Sequence, residues 1–597
     1  MAFPSLDFLI LNPDTIPFSS SCEMNNNVFL AVILSFGILF GFQYLYVKPH
    51  QEALHSQRVT QQVTPKTGTP APAVVPTTRT LRDRNLVLKD SPRLAIDTPE
   101  LSGSINLKGA RFDDLLLKSY KESADKTSPS ITLLAPSGST PPHAAYYAEF
   151  SWLADSTATE VPSAETEWKA DSKKLTPDHP INLTWSNGKN LIFNRTISVD
   201  AEAMFTITDR VINKGSEPVA LYPFGIVARQ GFSQIESSAV VHEGGLGVFK
   251  NTLEEYKYSK LMDEKKITQD GRGGWLGITD KYWLVAMIPP QDETLVGEFI
   301  YNRAGAATKE MGFFQADFRG SPVTVPVGGS AEHVSRLFAG AKKVGLLDRY
   351  ADQYNLPHFD KAIDFGWFYF LTRPFLYLLT ALDHAVGSMG LAILLFTILL
   401  KLVTLPLSQK SYHSMSRMKA IQPEMKRIQE RFPEDKVRQS QEMMELYKRE
   451  KVNPMSGCMP TLIQIPIFFA LYKVLYVNIE MRQAPFYGWI QDMSAADPTS
   501  VLTLFGLIPI TLPYALQIGV WPILMGLSMF LQQRLSPQPP DKTQARMFMF
   551  MPIIFTYMLV HMPAGLVIYW TWSNLLGILQ QWYIMRGDLR RKGAAGA

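Results

Sequence analysis

A chain of 597 residues is too long for one ordinary domain, and two or three units are expected. Its net charge of +4 excludes nothing by itself, so the placement of the positive charges carries the information. With only Cys22 and Cys458, one near each hydrophobic part, no disulfide framework is expected.

Residues 1–27 carry no basic residue and read as a cytoplasmic N-terminus, with Met24 as a second candidate start. Val28–Val47 is uncharged for 20 residues, long enough for one span, and no small-residue cleavage site comes after it. An uncleaved transmembrane anchor is expected there. The Pro/Thr/Gln-rich stretch after it cannot bury a core, so 48–84 reads as a flexible linker. From 85 to 345, short β-branched and alternating runs such as Asn190–Val199 and Met204–Val211 are punctuated by turn residues, which predicts a large β-sandwich.

Residues 346–388 connect this unit to the hydrophobic C-terminal part. Phe368, Leu371, Phe375, Leu378 and Leu382 recur at helical spacing there, with polar interruptions, which predicts an amphipathic helix at a membrane surface. A helical membrane core is expected over 389–585, with spans near 390–407, 459–477, 520–531, 547–560 and 564–584; with the anchor these make six. A basic tail, 586–597, closes the chain. Eleven Lys/Arg lie in Ser408–Lys451, whereas Asn478–Ser500 holds only Arg482. The positive-inside rule therefore puts the basic loops and both termini in the cytoplasm and the β unit outside.

Lys401 is the lone charge in the apolar run Gly390–Leu407. A charge within a membrane costs about 2.5–3.5 kcal/mol on the lenient insertion scale, so this lysine faces protein or water, or it snorkels to the cytosolic end. Thr397 shares its face one turn earlier. Gln464, Ser573 and Asn574 in other spans could complete a wet groove. Ser408–Lys451 reads as two helices around Phe432–Asp435, with Met415, Met418 and Met425 on one face and Met443 and Met444 on the second helix. That face is either internal packing or an adaptable client surface. The glycine-rich pieces at Gly244 and Gly271 lack nucleotide-loop spacing, and His242-Glu243 lacks a second zinc-ligand histidine. No enzyme, cofactor, metal or DNA partner is expected.

The stretches EMRQAPFYGWIQDMSAADP (Glu480–Pro498), PAGLVIYWTWSNLLGILQQ (Pro563–Gln581) and GWLGITDKYWL (Gly274–Leu284) closely resemble the YidC family of membrane protein insertases. The resemblance implies a multi-domain membrane protein of the Gram-negative inner membrane, with a six-span α-helical core and a large periplasmic β-supersandwich. It implies an insertase and chaperone acting on nascent inner-membrane proteins, with the Sec translocon, the ribosome, the signal recognition particle pathway and membrane lipids as partners. Lys401 matches the positively charged groove position, as lysine where arginine is common; Thr397 matches a groove residue, and Trp570 stands where a tyrosine is common. The segment Thr499–Gly519 resembles an insertion relative to the shorter family pattern. The rival reading is a small-molecule transporter with Lys401 as substrate counter-ion; it would call for inverted repeats, and none is visible.

Overall fold

The computed structural model describes residues 81–595, apart from 126, 157, 233–240, 304–305, 307, 453–458, 509–512, 514–515 and 537–541. The expected N-terminus 1–27, the anchor 28–47 and nearly all of the linker lie outside the described residues. The linker ends sooner than expected, because Arg82 N–H already bonds Gly138 O at 2.9 Å and Arg84–Val87 forms a helical turn capped by Asp83.

Two sheets face each other between Arg93 and Ala341. The 11-stranded sheet has Val219–Gln230 and Tyr146–Ala154 at its centre, and the 9-stranded sheet has Ser330–Ala341 and Met204–Asn213 at its centre. Alternation makes the core: in Leu191–Val199 every second side chain points inward, and Phe193, Ile197 and Val199 are buried. One inward position holds Arg195, whose cross-strand partner is Asp209. Arg195 donates to both Asp209 oxygens at 2.7 and 2.9 Å and lies over the Trp168 ring. Two-pronged pairing of this kind offsets much of the cost of burying the cation. The glycine-rich pieces are sheet positions of close backbone approach. A Cβ on Gly277 would run into Val285 O, and Gly274, at φ +92°, would meet Val248 O.

Below the sandwich come helices α1 (Val344–Tyr354), α2 (Tyr369–Val386), α3 (Met389–Val403), α4 (Leu405–Arg431), α5 (Lys436–Arg449), α6 (Met459–Val477), α7 (Val520–Leu535), α8 (Lys542–Leu559) and α9 (Ala564–Ala595). One apolar cluster runs without a break from Trp275 and Phe338 in the sandwich through Phe359 to Leu379, Phe396, Leu475 and Ile568 in the helices. Polar contacts reinforce the joint: Lys473 Nζ donates to Asp364 at 2.8 Å, and Lys281 Nζ sits 3.8 Å from the Tyr476 ring centre.

The helices correct the expected spans. Among the described residues no single helix is long and apolar enough to cross a membrane; one pair, α3 with α4, passes by length and composition but is bent by 66°. The run Gly390–Leu407 is therefore not one rod. It breaks at Thr404, where Pro406 opens the next helix, and α7 and α8 run to Leu535 and back to Lys542, past their expected ends. The break moves Lys401 from mid-helix to the last turn of α3, whose carbonyls are capped by Thr404: its N–H and hydroxyl both bond Leu400 O, at 3.0 and 2.9 Å. Helix α2 forms, but its buried face is Thr372, Leu376 and Leu379; Leu378 is turned outward.

Candidate functional site

Three helices bring polar stripes together. On α3, Thr397 and Lys401 are one turn apart; on α7, Ser528 and Gln532 are; on α9, Asn574, Gly577 and Gln581 share a face. Gly577 is where they converge: a Cβ there would lie 2.9 Å from Gln532 Nε2 and 3.8 Å from Lys401 Nζ. The missing side chain makes room for an ammonium and an amide over the α9 backbone. Among the described residues no charged group pairs with Lys401.

The other candidates divide. Asn574 donates to Ser528 Oγ at 2.9 Å, which ties α9 to α7. Gln464 on α6 donates to the Tyr569 hydroxyl at 3.0 Å, and Ser573 bonds the same hydroxyl. Thr397 is buried and spends its hydroxyl on Ile393 O, 2.7 Å away in its own helix, so it lines the stripe without offering a free donor. Trp570 packs in an aromatic group, 4.4 Å from Phe468 and 5.5 Å from Phe555 between ring centres. Near the end of the α9 stripe, Gln580 Oε1 and Gln581 Nε2 are buried with no hydrogen-bond partner among the described residues. Buried amides left open in this way are sites where a polar guest gains most.

Sequence reasoning missed Ser528, Gln532, Tyr569 and Gly577. Ser528 had a signal, a lone hydroxyl in the apolar run Val520–Leu531; Gln532 opens the polar stretch just after it. Tyr569 places a hydroxyl beside Trp570, next to the position where a tyrosine was expected.

The methionine hairpin is closed. Met425 and Met443 are buried with Ile421 and Leu446 between α4 and α5, Met418 packs against them, and Met415 packs with Tyr412 against Ile584 of α9. Of the five, Met444 alone is exposed. Outer faces of the core helices are apolar: Leu399 and Leu402 on α3, Leu527 on α7, Ile553, Ile554 and Tyr557 on α8, and Leu579 and Trp582 on α9. So much exposed apolar surface on packed helices marks contact with a non-aqueous partner.

Comparisons with known proteins agree with this architecture. The family model described as YidC periplasmic domain matches residues 93–378, and that described as 60Kd inner membrane protein matches 381–592. The chain is 46% identical over 600 residues to the membrane protein insertase YidC of Bradyrhizobium diazoefficiens, covering 94% of this chain and 96% of that one. It is 47% identical over 586 residues to that of Beijerinckia indica, covering 94% and 96%. A crystal structure of an active YidC insertase aligns over 82% of this chain and 92% of that one at 16% identity, with a TM-score of 0.34, too low to argue from. On the identity and coverage of these relatives, the chain belongs to the YidC family of membrane protein insertases.

Proposed function

We propose that this chain inserts proteins into the inner membrane, and chaperones them there, through the polar stripes that meet at Gly577. The observation that carries the reading is the placement of Lys401: a cation without a charged partner among the described residues, beside Gln532 and above an α9 backbone stripped of its side chain. Such a group attracts the acidic or polar flank of an incoming segment, and the attraction is strong where water is scarce. The flank enters along Gln532, Asn574 and Gln581 while its apolar part moves into lipid, gaining transfer free energy. No nucleotide or covalent intermediate enters the scheme. Short helices help. The 16 residues of α7 and 18 of α8 span about 24 and 27 Å against a core of about 30 Å, so lipid beside them thins.

In this reading the sandwich is periplasmic, the α4–α5 hairpin and both termini are cytoplasmic, and the membrane part has six spans including the anchor. Client contact on the hairpin falls to Met444 and Val437; Met415, Met418, Met425 and Met443 contribute when α4 and α5 part. Cooperation with the Sec translocon and delivery by ribosome and signal recognition particle belong to the same proposal. A transporter with Lys401 as counter-ion is not favoured, because the relatives are insertases.

The test is a charge series in proteoliposomes holding equal amounts of each variant. Lys401→Arg retains insertion. Lys401→Ala lowers it, most for clients with acidic translocated flanks, and Lys401→Glu lowers it further for those clients. Equal insertion by wild type and Lys401→Ala for every flank charge overturns the role given to Lys401 and leaves the snorkelling reading.

A further inference from the structure

We infer that Leu502–Ile508 is a membrane wedge, an apolar loop seated in the outer leaflet beside the outer end of α7. The inference rests on the proposed topology, in which the N-terminal end of α7 faces the periplasm.

The loop belongs to Thr499–Gly519, 21 residues without one charged side chain. Its ends are clamped together directly above α7. Asp497 Oδ1 accepts from Thr499 N–H at 3.0 Å, Thr499 Oγ1 at 2.6 Å and Trp489 Nε1 at 3.0 Å, and Asp497 Oδ2 accepts from Trp521 N–H at 2.8 Å. Val520 N–H donates to Thr499 Oγ1 at 3.1 Å, and Val501 N–H to Ile518 O at 3.0 Å. A loop pinned so close to the first turn of a span cannot stand far from the bilayer.

Its conformation presents apolar groups outward. Leu504 (φ 47°, ψ 51°) and Phe505 (φ 60°, ψ 31°) are consecutive left-handed residues, a backbone state that side chains other than glycine adopt only under constraint. The result is exposure of Leu502 at 54%, Leu504 at 52%, Phe505 at 65% and Leu507 at 82%. Meanwhile several of its polar groups bond within the loop. Phe505, Leu507 and Ile508 N–H donate to Ser500 O, Leu504 O and Thr503 O, and Thr503 Oγ1 donates to Ser500 O. Apolar side chains outside and backbone donors bonded inside is the arrangement a lipid environment demands, and one that water does not reward. Ile523, Leu524 and Leu527 of α7, the helix to which the loop is clamped, are exposed as well, so the loop sits beside a helix that itself presents apolar surface.

The experiment uses the full chain in proteoliposomes, in a Cys22→Ser/Cys458→Ser background, with a nitroxide attached at one introduced cysteine. Phe505→Cys and Leu507→Cys test the wedge, Ile553→Cys on the outer face of α8 reports lipid, and Gln491→Cys, exposed in the neighbouring loop, reports water. Collision with oxygen, which concentrates in lipid, is compared with collision with a water-soluble nickel chelate. At 505 and 507 oxygen is expected to exceed nickel several-fold, as at 553, with the ratio reversed at 491. Ratios at 505 and 507 like that at 491 overturn the wedge. Low collision with both agents there also overturns it, in favour of a protein partner or a second copy of this chain. A water-like ratio at 553 overturns instead the reading of α8 as a span.

Discussion

The sandwich and the helical core treat charge in opposite ways. Inside the sandwich three buried arginines each have their own acid: Arg195 with Asp209, Arg111 with Glu149 and Arg229 with Asp280; Lys342, at its lower edge, is held by the Thr279 hydroxyl at 3.0 Å. The helical core holds Lys401 with no charged partner among the described residues, and open amides at Gln580 and Gln581. A paired charge fixes a structure; an unpaired one keeps its affinity for something else. The arginine pairs that hold the strands are thus electrostatically closed, and the part proposed to work is left unfinished.

Breaking a closed pair gives the largest effect. Asp209→Ala leaves the Arg195 guanidinium buried without its acid and lowers sandwich stability by about 3–5 kcal/mol, read as a shifted denaturant midpoint of the full chain in nanodiscs. Replacing both partners with apolar residues, Arg195→Met with Asp209→Leu, recovers most of the loss. A midpoint unmoved by Asp209→Ala means that the pair does not hold the two strands together.

A smaller effect sharpens the contrast at the joint between the regions. Burial holds the His242 imidazole down at about 4, near Lys342, Asp364 and Lys257, and pushes the neighbouring Glu243 carboxyl up to about 7. Between pH 4 and 6.5 the unfolded chain binds the His242 proton and the folded chain does not, so this residue makes stability rise with pH, by about 3 kcal/mol at most. Glu243 acts in reverse: from about 4.5 to 7 the folded state holds the extra proton, and stability falls with pH by a smaller amount, about 2 kcal/mol, because the group is partly solvated. The two slopes largely cancel in the wild type. Glu243→Gln unmasks a stability that climbs with pH across that window, and His242→Gln one that declines. Identical pH profiles for the two variants contradict this assignment.

The smallest effect separates working from structural charge. Lys401→Met removes a cation that no charged group among the described residues neutralises, so stability is unchanged or rises by about 1 kcal/mol while insertion falls. A clear loss of stability means that Lys401 is structural after all.

Much of the fold was legible because it rests on periodicity. Alternation in Asn190–Val199 and Met204–Val211 announced strands, and uniform apolar runs announced the α6 and α9 helices. The bend at Thr404 was hidden, because the apolar run continues through it and only the geometry at Pro406 reveals a second helix. Arg195 was illegible, since a buried arginine depends on an acid placed opposite by strand register. At the site, Lys401 and Asn574 stood out as polar groups in apolar runs. Gly577 did not, because its part is to be absent. The methionine face was visible, but whether it packs inward or outward depends on the partner helix.

The break between α3 and α4 has a mechanical consequence. Helix α4 has 27 residues, a lever arm of about 40 Å that starts at one residue. A swing of about 10° around Thr404 carries its far end through about 7 Å, whereas Lys401, three residues from the pivot, shifts by roughly an ångström or less. Under the proposed topology, a swing that parts α4 from Ile584 of α9 moves the hairpin widely on the cytoplasmic side, while Lys401 stays in register with Gln532 and Gly577.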